Sequence, residues 1–206
     1  MSIDVLDLRN ASLSDEAREK LCWRYYERVY KPAFPRLDEA EDPCVWLPLL
    51  TGAHQDGKPF LYILLAIPGA AGFGKLDASS VNGLLPLGGI HTEYFPLSHT
   101  ALITYLCVVP EMRRRGISEL LLGQIVSVLR KNAAGASIPI FAEAEDPAKL
   151  PDSASQPTAY RRLSILSRLG FREIPIKYRQ PALGPGKKPV DYLKFLVFSP
   201  RSQDTP

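Results

Sequence analysis

Residues 105–122 read YLCVVPEMRRRGISELLL, and the change of period inside this stretch decides the fold. Up to Val109 the chain belongs to an apolar run, ALITYLCVVP from Ala101, of strand length and rich in β-branched and aromatic side chains. After Pro110 the apolar residues recur at helical spacing: Ile117, Leu121, Ile125 and Val128, widened by Leu120, Val126 and Leu129. This helix is expected to end near Lys131 to Gly135, where basic residues and a glycine suit a C-terminus. IPIFAEAE then reads as another strand, so residues 101–143 form a strand–helix–strand unit, a right-handed parallel crossover.

Upstream, IDVLDL at residues 3–8 alternates apolar and acidic side chains and predicts a short strand. Ser14 before Asp15 and Glu16 is an N-cap with acids in the first turn, opening a helix to about Tyr30. Residues 31–58 break into prolines 32, 35, 43 and 48 around Asp38, Glu39, Glu41 and Asp42. They read as a Pro-rich acidic loop with one short helix near Trp46 to Leu50. PFLYILLAIPG is a strand buried on both faces. GLLPLGGIHTEYFP and ALITYLCVVP are strands joined as an antiparallel hairpin through PLSHT. Downstream, PTAYRRLSILSRLG predicts a helix closed by Gly170, and FREIPIKYRQ and VDYLKFLVF predict strands flanking QPALGPGKKP. Residues 199–206 read as a frayed tail. The order gives an α/β chain, residues 1–206 forming one domain with a mixed, mostly antiparallel sheet of about seven strands and helices on both faces.

The chain has 206 residues, 46% apolar and 23% charged, which is globular rather than disordered composition. A formal charge of +3 is too mild to demand a polyanion, so nucleic acid is not an expected partner. No interleaved aromatics or helix-turn-helix pattern accompany Arg113, Arg114, Arg115, Arg161 and Arg162. Cys22, Cys44 and Cys107 lie in apolar sequence without Cys-x-x-Cys spacing and read as buried thiols of a reducing compartment. The start MSIDVLDLRN shows no signal peptide, and no apolar run is long enough to span a membrane; a cytoplasmic location is expected.

The turn at Pro110–Ser118 is built for an anion. The first N–H groups of a helix have no intrahelical partner and sit at the positive end of the macrodipole. Gly116 and Ser118 let a phosphate approach the backbone, and Arg113, Arg114 and Arg115 add charge. The alternative is a solvated arginine loop in which Gly116 merely eases the turn.

At these residues the chain resembles the GNAT superfamily of N-acetyltransferases, whose acetyl-CoA motif is Gln/Arg-x-x-Gly-x-Gly/Ala after a strand ending in Val-x-Pro. Here Arg113, Gly116 and Ser118 take those positions after CVVP, with serine in place of the last glycine or alanine. The resemblance implies that N–H groups from Arg114 through Gly116 and Ile117 to Ser118 hold the pyrophosphate of acetyl-CoA. It also implies that Cys107, Val108 and Val109 pair with the pantetheine arm where the two parallel strands splay. It further implies transfer of acetyl to a primary amine, on a small molecule or a protein, by direct attack, with the Val108 N–H on the oxyanion. A homodimer is left open.

The resemblance places Glu143 where some members carry a general base, with Glu93 in reserve. Glu143 reads equally as an ordinary strand glutamate facing solvent. The family tyrosine that protonates the departing thiolate lies four residues before Gly170, where this chain has Leu166. Tyr94, Tyr160 and Tyr178 are the candidate substitutes, or water does the work; otherwise the chain is a non-catalytic CoA-binding sensor or interaction module. The segment KLPDSASQP lengthens the strand-to-helix connection beside the expected acceptor pocket.

Other patterns are weaker. GAAGFGK at residues 69–75 fits Gly-x-x-x-x-Gly-Lys but is followed by Leu76, not the Ser or Thr that would hold magnesium. His91 and Glu93 share one side of a strand and Tyr94 the other; they either approach the acceptor or are exposed polar positions. His54 and His99 lack metal-ligand spacing, so no metal is expected. The acids at 38–42 either attract a cationic acceptor or keep a loop in water. Lys187 and Lys188 are a solvated turn, or meet the adenosine 3′-phosphate.

Overall fold

The computed structural model describes residues 2–52, 58–69, 76–133 and 135–199. His54, residues 70–75 of the Gly-x-x-x-x-Gly-Lys stretch and residues 200–206 of the expected tail lie outside them. The chain divides into two units, Met1–Arg36 with Ala40–Ile138, and Leu37–Glu39 with Pro139–Pro206.

In the first unit the elements are β1 (Ile3–Asp7), α1 (Asp15–Tyr25), α2 (Lys31–Ala33), α3 (Pro43–Thr51), β2 (Phe60–Pro68), β3 (Gly88–Phe95), β4 (Thr100–Val108) and α4 (Ile117–Asn132). The strands pair in the order β1-β2-β3-β4, all antiparallel. Ser14 caps α1 by accepting the Ala17 N–H at 3.2 Å. The helix continues past Tyr25 as a π turn, Tyr26–Tyr30. That wider turn stacks Tyr26 on Tyr30 at 5.7 Å while Tyr25 and Tyr30 are buried. Asp42 caps α3 through the Cys44 N–H at 2.8 Å, with Pro43 opening the helix.

Trp46 and Leu50, one turn apart on α3, are buried. The same period leaves Cys44 exposed, unlike the buried Cys22 and Cys107. The expectation of three buried thiols fails at Cys44 because local apolar sequence does not say which side of a helix meets the core.

One irregularity shapes the sheet. His91 pairs with Tyr105 but Thr92 pairs with Ile103, so Thr104 is an extra residue on β4. Opposed residues share a face. Gly89, His91, Tyr105 and Cys107 therefore face Tyr25, Tyr30 and Trp46, and beyond the bulge Glu93 and Leu102 continue that face. The other face carries α4, whose Ile117, Leu121, Ile125 and Leu129 are buried.

Gly89 is required by a close approach: a Cβ there would stand 2.5 Å from the Tyr25 ring. Tyr25 is fixed by its own burial and by its hydroxyl, 3.2 Å from Cys107 Sγ. Gly89→Ala is expected to lower unfolding free energy by about 1–3 kcal/mol, the usual cost of overpacking. Urea denaturation checks this, and an unchanged midpoint would contradict it.

The second unit contains β5 (Ile140–Glu145), α5 (Gln156–Arg168), β6 (Phe171–Ile174) and β7 (Leu193–Phe198). Its strands pair in the order β5-β7-β6, again antiparallel, and α5 packs on β5 and β6. β6 stops before Pro175, shorter than the FREIPIKYRQ run, because proline cannot extend the ladder. Gln180 and Val190 still bridge, at 2.8 and 3.0 Å. The acids of the 31–58 segment are not a solvated loop. Asp38 accepts the Lys188 N–H at 3.0 Å, Glu39 accepts the Tyr192 hydroxyl, Glu41 accepts the Trp46 indole N–H at 2.9 Å, and Asp42 caps α3. The Lys188 backbone is thus part of a clasp.

Candidate functional site

The turn between β4 and α4 holds two positive-φ residues, Arg114 at φ 61° and Gly116, the N-cap of α4, at φ 75°. Such a turn ahead of a helix can gather successive N–H groups into an anion nest. Among the described residues none of the N–H groups from Arg114 to Ser118 is taken by an acceptor, and no side chain caps the helix. A Cβ on Gly116 would meet nothing within 4 Å.

Arg113, Arg114 and Arg115 are exposed and form no ion pair among the described residues. The nearby acid Glu111 is neutralised by Arg28 at 2.9 Å. The turn therefore keeps its positive charge. Arg113 itself folds back, donating from Nε to the Val108 carbonyl at 3.2 Å.

The backbone of β4 divides into two sets. Val109 donates its N–H to Leu87 at 2.9 Å, toward β3. By strand alternation Cys107 also points its backbone toward β3, while Leu106 and Val108 turn theirs away. Of the three residues expected on pantetheine, Val108 therefore has the suitable N–H, and Cys107 and Val109 do not. The Val108 carbonyl is occupied by Arg113. Leu106, which the motif did not single out, also turns its backbone away from β3.

On the aromatic face, His91 is fully buried with neither ring nitrogen hydrogen-bonded. Its ring lies 4.4 Å from Trp46, 5.4 Å from Tyr25, 5.7 Å from Tyr30 and 5.4 Å from Tyr105, centroid to centroid. Burial pushes its pKa down to about 3. It is a neutral core residue, neither an exposed position nor an acceptor contact, and only long-range packing decides that. Glu93 is half-buried, and desolvation, reinforced by the nearby Glu41 carboxylate, raises its pKa above the ordinary glutamate value.

Tyr94 is buried with its hydroxyl 3.3 Å from His99 Nδ1. It pairs with Ala101 at the hairpin end, six residues and roughly 20 Å along β3 from Gly88, the partner of Val108. Tyr94 therefore lies toward the hairpin end of the strand, with its hydroxyl already beside His99. Tyr160 is 62% exposed on α5, and Leu166 is half-buried on the same helix.

In the second unit Glu143 is not a solvent-facing glutamate. One carboxylate oxygen accepts the Tyr178 hydroxyl and the other accepts Gln180 Nε2 at 2.8 Å. Gln180 was not picked out from sequence, since its partner Glu143 lies 37 residues away. Among the described residues no group of three or more His, Cys, Asp or Glu could hold a metal ion, and no helix is long and apolar enough to cross a membrane.

No family model and no curated protein matches the sequence. Solved structures do match. A protein from Bacteroides thetaiotaomicron assigned to the GNAT acetyltransferase family superposes with a TM-score of 0.59 at 16% identity, covering 97% of this chain and 88% of that one. The PaiA N-acetyltransferase of Thermoplasma acidophilum, solved with coenzyme A, gives 0.54 at 14% identity over 97% and 100% of the two chains. Tetrahymena GCN5 gives 0.55 at 13% identity over 96% and 95%. With seven strands among the described residues, a long helix after Val-Val-Pro and 88–100% of those chains covered, the chain has the GNAT acetyltransferase fold.

Proposed function

We propose that this chain is an acyl-CoA-dependent N-acyltransferase that moves acetyl from acetyl-CoA to a primary amine. The observation that carries the reading is the open, arginine-flanked N–H nest from Arg114 to Ser118 at the N-terminus of α4. Coenzyme A bound to the Thermoplasma protein of the same fold supports it. Pyrophosphate sits in the nest, with Arg114 and Arg115 beside it and the small Ser118 admitting it. The pantetheine arm then runs back along β4, meeting the Val108 N–H first. The thioester, farther from the phosphates, reaches Leu106, whose N–H stabilises the oxyanion.

Glu93 is the general base in this proposal, in preference to Glu143. Its raised pKa makes it the stronger proton acceptor, and it shares the aromatic face with Tyr105. It pairs with Leu102, four residues and roughly 13 Å along the strand from Leu106, so the acceptor amine and several ordered waters would have to span that gap. The amine nitrogen attacks the carbonyl carbon, its proton passes to Glu93, and the C–S bond breaks with the electron pair leaving on sulfur. Water protonates the thiolate, tolerable for a leaving group with a pKa of ~8.5. Leu166 in the place of the family tyrosine is what favours the second reading, a CoA-binding module without transfer.

Thiol release measured over amines, polyamines, amino acids and lysine peptides tests the proposal. Release with one of these classes is expected, and Glu93→Gln should lower kcat about 100-fold or more with acetyl-CoA KM little changed. The base must be ionised and its pKa is raised. The acid limb of kcat/KM should therefore lie above the ordinary glutamate range, with activity falling as pH drops through it. Acetyl-CoA binding without thiol release would favour the module, and absence of binding would end both readings.

A further inference from the structure

Residues 79–85 read SSVNGLL and contain the one Asn-Gly pair of the chain. An asparagine followed by glycine sets its side-chain carbonyl next to a backbone nitrogen that no neighbouring side chain shields. The fold leaves that nitrogen free. In the turn, the Asn82 N–H donates to the Ser79 carbonyl and the Leu84 N–H to the Val81 carbonyl, both at 3.1 Å, while the Gly83 N–H between them donates to no acceptor among the described residues. Asn82 and Gly83 are both exposed, and a Cβ on Gly83 would meet nothing within 4 Å.

The other two asparagines are held. Asn10 Oδ1 accepts the Ser12 N–H at 2.9 Å, and Asn132 Nδ2 donates to the Tyr62 hydroxyl at 2.7 Å; each precedes an alanine. The Asn82 side-chain amide has no hydrogen-bond partner among the described residues. Arg24 fixes the turn from α1, donating to the Val81 and Leu84 carbonyls on either side of the pair. Its guanidinium sets a positive charge beside the turn, where negative charge on a nitrogen or oxygen is favoured.

We infer that Asn82 is a site of spontaneous covalent modification, its side-chain amide closing on the Gly83 nitrogen to form a succinimide. The Gly83 nitrogen gives up its proton to hydroxide and attacks Cγ of Asn82. The N–Cγ bond forms, the bond from Cγ to the side-chain nitrogen breaks, and that nitrogen takes a proton from water and leaves as ammonia. Water then opens the ring at either carbonyl and leaves aspartate or isoaspartate, with no oxidant and no cofactor. Both products add a negative charge to the turn. Isoaspartate also lengthens the main chain by one carbon, between the two carbonyls that Arg24 holds. The reaction belongs to this turn alone, whether or not acetyl transfer occurs.

The test is to incubate the full-length folded protein at neutral and at mildly alkaline pH, then map its peptides by mass spectrometry and by labelling with an isoaspartyl methyltransferase. The expected result is the mass rise of an NH2-to-OH exchange in the peptide containing Asn82, faster at the higher pH, with isoaspartate in that peptide. Asp56 before Gly57 can isomerise through the same kind of ring but without a change in mass, so the map keeps the two apart. Gly83 is not at positive φ, so Gly83→Ala is expected to fold. It should slow conversion about tenfold or more, because a Cβ restricts the backbone rotation that closes the ring. An unchanged rate in Gly83→Ala would overturn the site, as would equal conversion at Asn10 and Asn132, or a mass rise without isoaspartate. So would a folded protein that stays unmodified while the urea-unfolded chain converts. That last comparison uses the unsubstituted protein and decides the matter even if the variant fails to fold.

Discussion

Gly116→Glu is expected to abolish binding of acetyl-CoA. The glycine caps α4 at φ 75°, a conformation that costs other residues roughly 1–2 kcal/mol, and its missing Cβ leaves open space in front of the nest. A glutamate puts a carboxylate into that space, at the positive end of the helix, where it competes for the same N–H groups. Gly116→Ala adds the strain but no charge and leaves most of the space. Its affinity should stay within about tenfold of the unsubstituted protein, on the same strain estimate. Calorimetric titration with CoA, with circular dichroism to confirm folding, separates the two. If the glutamate variant bound CoA as the glycine protein does, the nest would not be the phosphate site.

The second large effect concerns stability in acid. His91 is held neutral by burial, with its pKa pushed down to about 3 from 6.5. Unfolded, the imidazole returns to its ordinary value and takes a proton below it. Between these limits the unfolded chain binds more protons than the native one, so stability rises with pH. The contribution is complete above pH 6.5 and is lost progressively as pH falls toward 3. Each pH unit in that window costs about 1.4 kcal/mol, on the order of 5 kcal/mol in all. That is a large part of the 5–15 kcal/mol that usually holds a domain together.

Asp7 and Glu93, whose pKa values are raised by burial, act in the opposite sense as pH falls. The clean measurement is therefore the difference between the protein and His91→Leu, by urea denaturation across the window. The variant should lack the His91 slope and gain on the parent as pH is lowered. Parallel curves would mean that His91 is protonated, or solvated, in the folded state. The rings around it, Tyr25, Tyr30, Trp46 and Tyr105, supply no charge to stabilise an imidazolium.

Much of this protein was legible in its sequence, and what was legible is local. The change from strand to helix period at Pro110, the Ser14 cap, the buried run from Phe60 and the hairpin through PLSHT all became the expected elements. Each depends on a residue and neighbours a few positions away, which is the range over which backbone geometry sets side-chain direction. The anion nest belongs to the same class. It needs only Gly116 and a helix start, and both are written within a few residues.

What the tertiary structure alone decided involves partners far apart in the chain. Strand alternation could not say that His91 would be enclosed by Tyr25, Tyr30 and Trp46. Nor could it say that Thr104 would add a residue to β4 and change which residues share a face. The acids at 38–42 looked solvated until Lys188, Tyr192 and Trp46 supplied their donors. Glu143 likewise acquired Tyr178 and Gln180, brought to it by the strand pairing of the second unit. A hydrogen bond depends on where two groups end in space, and sequence spacing carries that information only when they lie on one element. Sequence thus determined the elements and the glycine- and arginine-bearing turn before α4, while packing decided which carboxylates are desolvated and which are already hydrogen-bonded.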